Sequence, residues 1–309
     1  MKSLRSLTRL ALLVSCCCGW SSCYDNGYYS YAINWKVDPV FGNDVFGDGS
    51  AYFPFKTVGK ALRNSIPGDG VILAPGTYTA SSGEVFPLLV KPGVAILGDP
   101  ATFGSTRTVI GGGNYTIQGG TQMGNVVTAA FVMGSGTQLS GVKVTVAGGS
   151  GVGVVFDGNS GSLDSCTLTG CGASGVQVFQ SASPTLTNNV ITTSGASGVT
   201  LFDTAGPILR QNQILNSGTD GVLANDTSAP NLGDAATAGG NTLQGNAGVG
   251  LNNATTASTI QAVGNTWELL SGQGSDAAGH YAAALVPGIV AAVAGNDFAL
   301  TFAAANIQF

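Results

Sequence analysis

The chain has 309 residues, 48 of them glycine, and only 9% of them are charged, against roughly 25% in an ordinary soluble domain. Net charge is -5, and no Lys/Arg cluster occurs beyond the first nine residues, which excludes nucleic acid as an expected partner. Val, Ile, Leu and Phe recur regularly between the glycines, so a core is available and the composition is not that of a disordered chain.

Residues 1–15 read as a signal peptide. Lys2, Arg5 and Arg9 form a positive start, and Leu10 to Val14 form an apolar stretch too short to span a bilayer. Leu13-Val14-Ser15-Cys16 resembles the bacterial lipobox, which implies cleavage before Cys16 and acylation of its thiol. An ordinary signal cleaved slightly downstream is the alternative. Residue 17 is Cys rather than Asp, so the common inner-membrane retention signal is absent. The expected address is the outer membrane or cell surface, held by the lipid. Residues 16–34 read as an anchor linker, and 35–309 as one β-helix domain, expected to be monomeric.

Residues 35–100 read as an N-terminal cap and first coils. Asp44 and Asp48 lie in GNDVFGDGS, where turn chemistry is the better reading and a Ca²⁺ site the weaker one. Thr57 is placed to cap a short helix, Val58 to Asn64, with Val58, Ala61 and Leu62 on one face. Pro67-Gly68-Asp69-Gly70 turns into a strand, Val71 to Leu73, and Ala74 to Tyr78 makes the next corner.

Here the chain resembles a known family. Gly42-Asn43-Asp44, Phe53-Pro54-Phe55-Lys56-Thr57-Val58, Lys60-Ala61-Leu62, Leu73-Ala74-Pro75-Gly76-Thr77-Tyr78, Gly83-Glu84-Val85-Phe86-Pro87-Leu88 and Gly98-Asp99 follow one another in order. Together they are similar to the bacterial domain of unknown function found at the start of pectin-lyase-like β-helix proteins. Residues 31 to 100 carry the resemblance, with echoes at Pro230-Asn231-Leu232-Gly233 and Gly240-Asn241-Thr242. It implies a fold and not an activity, because that fold hosts lyases, hydrolases, adhesins and inert surface proteins.

Residues 150–270 carry a repeat of about 23 residues. Gly175, Gly198 and Gly221 are each 23 after the last, as are Pro184, Pro207 and Pro230. Phe156, Phe179 and Phe202 keep the same interval. A period in the low twenties means a solenoid. Short alternating runs such as Val176–Phe179 and Val190–Thr193, split by Gly, Ser, Asn and Pro, make each unit a coil of strands rather than a leucine-rich repeat. The fold expected is therefore all-β, a single-stranded right-handed parallel β-helix with a short N-terminal capping helix. Coils stack about 4.8 Å apart, like above like. Val176, Val199 and Val222 are expected to point inward, with Phe179 and Phe202. Leu168, Ile191, Ile214, Leu243 and Trp267 form a second inward file. Asn189, Asn212, Asn241 and Asn265 form a ladder at a turn and take the left-handed backbone there. Gly175, Gly198 and Gly221 are expected at positive φ.

Chemistry is harder to find. Asp157, Gln180, Asp203 and Asp226 form one column at the same interval, which Asn253 extends after an insertion. It reads either as solvated turn residues or as a site for sugar hydroxyls or a hard cation. Arg210 and Lys143 are the basic residues of the repeat body; Arg210 joins the column as a candidate ligand-binding residue, although it is expected on a different face from Asp203. Pectate-lyase-like enzymes combine Ca²⁺-binding acids with a Lys or Arg base, and polygalacturonase-like sites add Gly-His-Gly and Arg-x-Lys elements that this sequence lacks. His280 has no visible triad partner and no metal-ligand spacing surrounds it. Cys166 and Cys171 either pair in an oxidising compartment or serve as two small buried hydrophobes. Residues 271–309 read as last coils and C-terminal cap. The functional expectation is a non-catalytic envelope lipoprotein with a rigid body that binds polysaccharide or is surface-structural. The alternative is a polysaccharide lyase or other glycan-active enzyme. No cofactor is expected, with Ca²⁺ as the one candidate.

Overall fold

A computed structural model describes residues 32–255, 260–267 and 307–308. The signal, Cys16 and the other N-terminal cysteines, His280 and residues 271–306 lie outside the described residues.

The described chain winds as a right-handed parallel β-helix with three sheets. The first runs from Asn34–Val37 through Gly70–Leu73, Ala95–Leu97, Gln138–Ser140, Ser162–Asp164 and Thr185–Thr187 to Ile208–Arg210. The second runs from Gly76–Thr79 to Thr266–Trp267, and the third from Leu88–Val90 to Leu251–Asn253. Most strands are three or four residues long because each side-chain alternation ends at a turn residue; Val126–Met133 and Gly151–Asp157 are longer, at eight and seven. In the first sheet Leu163, Leu186 and Leu209 share a register and are fully buried, while their neighbours Asp164, Thr187 and Arg210 face out. Leu168, Ile191, Ile214, Leu243 and Trp267 share a register in the second sheet, and Val176, Val199 and Val222 in the third. One apolar cluster from Val37 to Ala262 fills the bore.

The helix, α1 (Val58–Asn64), closes the N-terminal end. Thr57 accepts from the Lys60 amide, and Val58, Ala61 and Leu62 are buried. Glu84 accepts from the Val58 and Gly59 amides at 2.6 and 3.1 Å. Asn34–Val37 precedes the strand expected to be first, and Gly76–Thr79 is already a strand rather than part of a corner.

The corner between the first and second sheets has two residues. The left-handed position is the first of them: Ser165 (φ 51°), Asn188 (57°), Gln211 (58°). The ladder asparagines follow it, so they do not carry the strained backbone expected of them; their side chains turn inward. The Asn212 carboxamide oxygen accepts from both the backbone and side-chain nitrogens of Asn189, and Asn241 and Asn265 repeat the pattern. Each side-chain NH₂ also reaches a leucine carbonyl, as Asn212 does at Leu186. Asn189, Asn212 and Asn241 are buried with their hydrogen-bonding groups engaged.

Two further expectations are corrected. Gly175, Gly198 and Gly221 are not at positive φ. Glycine is needed there for close approach: a Cβ at Gly198 would sit 2.5 Å from Ile214 Cγ2 and 2.8 Å from the Gly221 carbonyl oxygen. Phe179 and Phe202 do not point into the bore. Val154 pairs with Val176, an offset of 22, so Phe156 stacks inside against Val178 while Phe179 faces outward. A slip of one residue turns that strand's side chains to the other face, and the interval of 23 resumes at Leu163 and Leu186. Cys166 and Cys171 are buried free thiols, as the hydrophobe reading held, and burial pushes them up to about 12 and about 11.

Candidate functional site

The outer face of the third sheet carries an insertion. Gly113–Thr116 pairs antiparallel with the first half of Val126–Met133, and the intervening residues 117–125 fold as a flap over the coils that follow. Ile117 is buried against Val132, Val152, Val155 and Phe179, with Tyr115 and Phe202 at the edge. This second apolar cluster lies outside the bore. It explains how the outward-facing Phe179 is only 2% exposed.

The acidic column fastens the flap. The Asp157 carboxylate accepts from the Tyr115 hydroxyl at 2.9 Å, the Gln118 amide at 2.7 Å and the Gln180 side chain at 2.6 Å. Burial, followed by the bond to Asp157, pushes the Tyr115 phenol well above its ordinary range. Asp203 accepts from the Gln180 and Thr121 amides, and Asp226 from the Asp203 amide and the Thr121 hydroxyl. Gln180, Asp203 and Asp226 all take left-handed φ, at 59°, 58° and 56°. Asp157 does not belong to that file. It pairs with Phe179, one place earlier, and Gly158 holds the left-handed turn in its coil.

Arg210 is not brought to this column. It lies on the first sheet, donating to the Asn231 carbonyl and side-chain oxygens and pairing with Asp234 at 3.7 Å. Lys143 lies on the second sheet. Asn253 is buried and accepts from Thr255. Asp44 accepts from the Lys56 and Thr57 amides and the Thr57 hydroxyl, and Asp48 from the Ser50 amide, so both act as turn and cap residues. Among the described residues no group of three or more His, Cys, Asp or Glu side chains could hold a metal.

Beside the flap lies a cleft of about 320 Å³, lined by Ile117, Gln122, Asn125, Gln177, Phe179 and Phe202 among others. Phe179 and Phe202 stack with centroids 5.0 Å apart and planes 3° from parallel. Gln177 Oε1 is buried and has no donor among the described residues. Three coils further along the same file, through Thr200 and Leu223, Asn252 Oδ1 is in the same condition. A buried acceptor without a donor is uncommon in a native fold, and a hydroxylated ligand would supply one once the Gln177 side chain turns into the cleft. Sequence reasoning missed Tyr115, Thr121 and Gln177. The first two lie outside the repeat. The only signal for Gln177 was an amide where the alternation puts an outward side chain.

The family described as "Protein of unknown function (DUF1565)" matches residues 40–295. No curated protein matches in sequence. Among solved structures, pectate lyase Pel9A is similar over 81% of this chain and 74% of its own, with 15% identity and a TM-score of 0.51. A rhamnogalacturonan lyase follows at 15% identity and TM-score 0.38, covering 76% of this chain and 62% of that one. The GH136 lacto-N-biosidase from Eubacterium ramulus has 11% identity and TM-score 0.33, covering 77% and 63%. At such identities the likeness is one of fold.

Proposed function

This chain belongs to the DUF1565 family of proteins of unknown function, and on that premise we propose that it is an exported envelope lipoprotein whose β-helix binds glycan in the cleft beside the flap without turning it over. One observation carries the reading: an acceptor lacking a donor, Gln177 Oε1, beside the stacked pair Phe179 and Phe202. Sugars present hydroxyl donors at their rims and C–H faces to aromatic rings, so the two features suit one ligand class. The acidic column supports the non-catalytic half. Its carboxylates are engaged by amides and hydroxyls, and Arg210 and Lys143 stand on other sheets, so among the described residues no base faces an acid pair.

The test is titration calorimetry of the full chain against a panel of pectins, uronans and neutral glycans, with Gln177→Leu beside it. We expect one glycan class to bind and the variant to bind it roughly tenfold more weakly, the cost of one hydrogen bond. Release of unsaturated products would sink the non-catalytic reading. A panel without binding would sink the glycan reading.

A further inference from the structure

The loop 38–55, at the N-terminal end of the rod, presents Val40, Phe41, Val45, Phe46, Tyr52 and Phe53 to solvent, each at least 59% exposed, with Phe41 at 85% and Tyr52 at 90%. Elsewhere among the described residues, large exposed apolar side chains are scattered. Concentrated exposure of this kind marks an interaction surface. The loop is also held in shape. Asp38 accepts from the Val40 and Phe41 amides, Asn43 from those of Val45 and Phe46, and Asp44 from those of Lys56 and Thr57. Gly42 and Gly47 donate back to Asp38 and Asn43, and Lys36 donates to the Gly49 carbonyl. These bonds fix the loop's backbone, and three polar side chains are turned onto amides while Phe41, Phe46, Tyr52 and Phe53 are turned away from the protein and Phe55 is buried on Trp35.

We propose that this loop seats on a lipid bilayer, with Phe41, Phe46, Tyr52 and Phe53 at the headgroup level of the membrane that receives the Cys16 lipid. The proposal rests on the lipid-anchor reading for its location. The loop grows directly out of the first described strand, Asn34–Val37, so tether and loop share one end of the rod. The chain from Cys16 to Ala32 reaches at most about 55 Å when extended, which keeps that end within range of the surface. Aromatic side chains suit the membrane–water boundary, and a second contact converts a single tether into an oriented attachment.

The experiment uses the full chain in vesicles of phosphatidylethanolamine and phosphatidylglycerol, with the mass of the Cys16 peptide reporting acylation. A Phe46→Trp variant is read as its difference from the parent chain. We expect lipids brominated on their acyl chains to quench that difference emission, and Phe41→Ser/Phe46→Ser/Tyr52→Ser to keep the parent's melting temperature. An acylated, vesicle-bound chain whose Trp emission ignores the brominated lipid overturns the loop proposal and leaves the anchor standing. An unacylated Cys16 overturns the anchor instead. The loop is then judged by cosedimentation: roughly tenfold weaker vesicle binding by the triple variant upholds it, and equal binding overturns it. Shielding of the Trp from aqueous iodide before vesicles are added would show residues 1–31 or a second copy on the loop, and would also overturn it.

Discussion

Two polar files climb this rod, and they solve the same problem differently. The asparagine file, between the first and second sheets, is buried and bonds to itself: each amide both accepts from the coil before and donates to the coil after. The acidic file, between the third and first sheets, has acceptors in surplus and fewer donors of its own. A carboxylate cannot donate, so the file takes its donors from backbone amides and from a segment outside the repeat. An amide ladder is self-sufficient; a carboxylate ladder recruits a partner. That difference accounts for the flap's position over Asp157, Asp203 and Asp226.

The sharpest way to break the comparison is Asn212→Leu. It leaves the Asn189 amide buried without a partner and takes from the Leu186 carbonyl the side-chain donor it has beside its strand pairing, and we expect a loss of about 3–5 kcal/mol in urea unfolding. A loss under about 1 kcal/mol would mean the ladder is dispensable. Glu84 extends the comparison to a buried carboxylate beside the capping helix. Burial pushes it up to about 7 from an ordinary value near 4.5, against the Val58 and Gly59 amides, which favour the charge. The folded state therefore holds this proton more tightly than the unfolded one. The stabilisation is complete below about 4.5 and is lost as pH rises to about 7. Melting at pH 5 and pH 8 is expected to differ by no more than about 3 kcal/mol from this group, and Glu84→Gln is expected to remove that part. An unchanged pH profile in the variant would refute it. The smallest effect is expected at Asp203→Asn, which keeps one acceptor oxygen of two. A cost of about 1–2 kcal/mol should go with faster proteolysis within residues 117–125. Cleavage at the parent's rate would detach the flap from the column.

Much of this was legible from spacing. The 23-residue interval placed Val176, Val199 and Val222 in one file and put the asparagines at a corner, though not their burial. It failed where a coil lost a residue. Counting back 23 from Phe179 reaches Phe156, but the pairing offset there is 22, and the two rings end on opposite sides of the sheet. It failed also at the candidate site, because the flap is an antiparallel excursion with no repeat to align, and its bonds to Asp203 and Asp226 span 82 and 105 residues. Local pattern carries no information about contacts of that range. The Gly175 column shows a subtler limit: the need for glycine was visible, yet the reason, a neighbour's carbonyl too near to admit a Cβ, lies in the coil above.

In a stack where each coil touches only the next, opening at one end costs little more than one interface at a time, and melting spreads like a zipper. The Thr121 contacts break that locality. A strap rooted beside Val126 and fastened at Asp157, Asp203 and Asp226 ties successive windings into a single block. Unravelling that begins beyond Asn253 therefore meets, at Asp226, a segment that must come apart together or not at all.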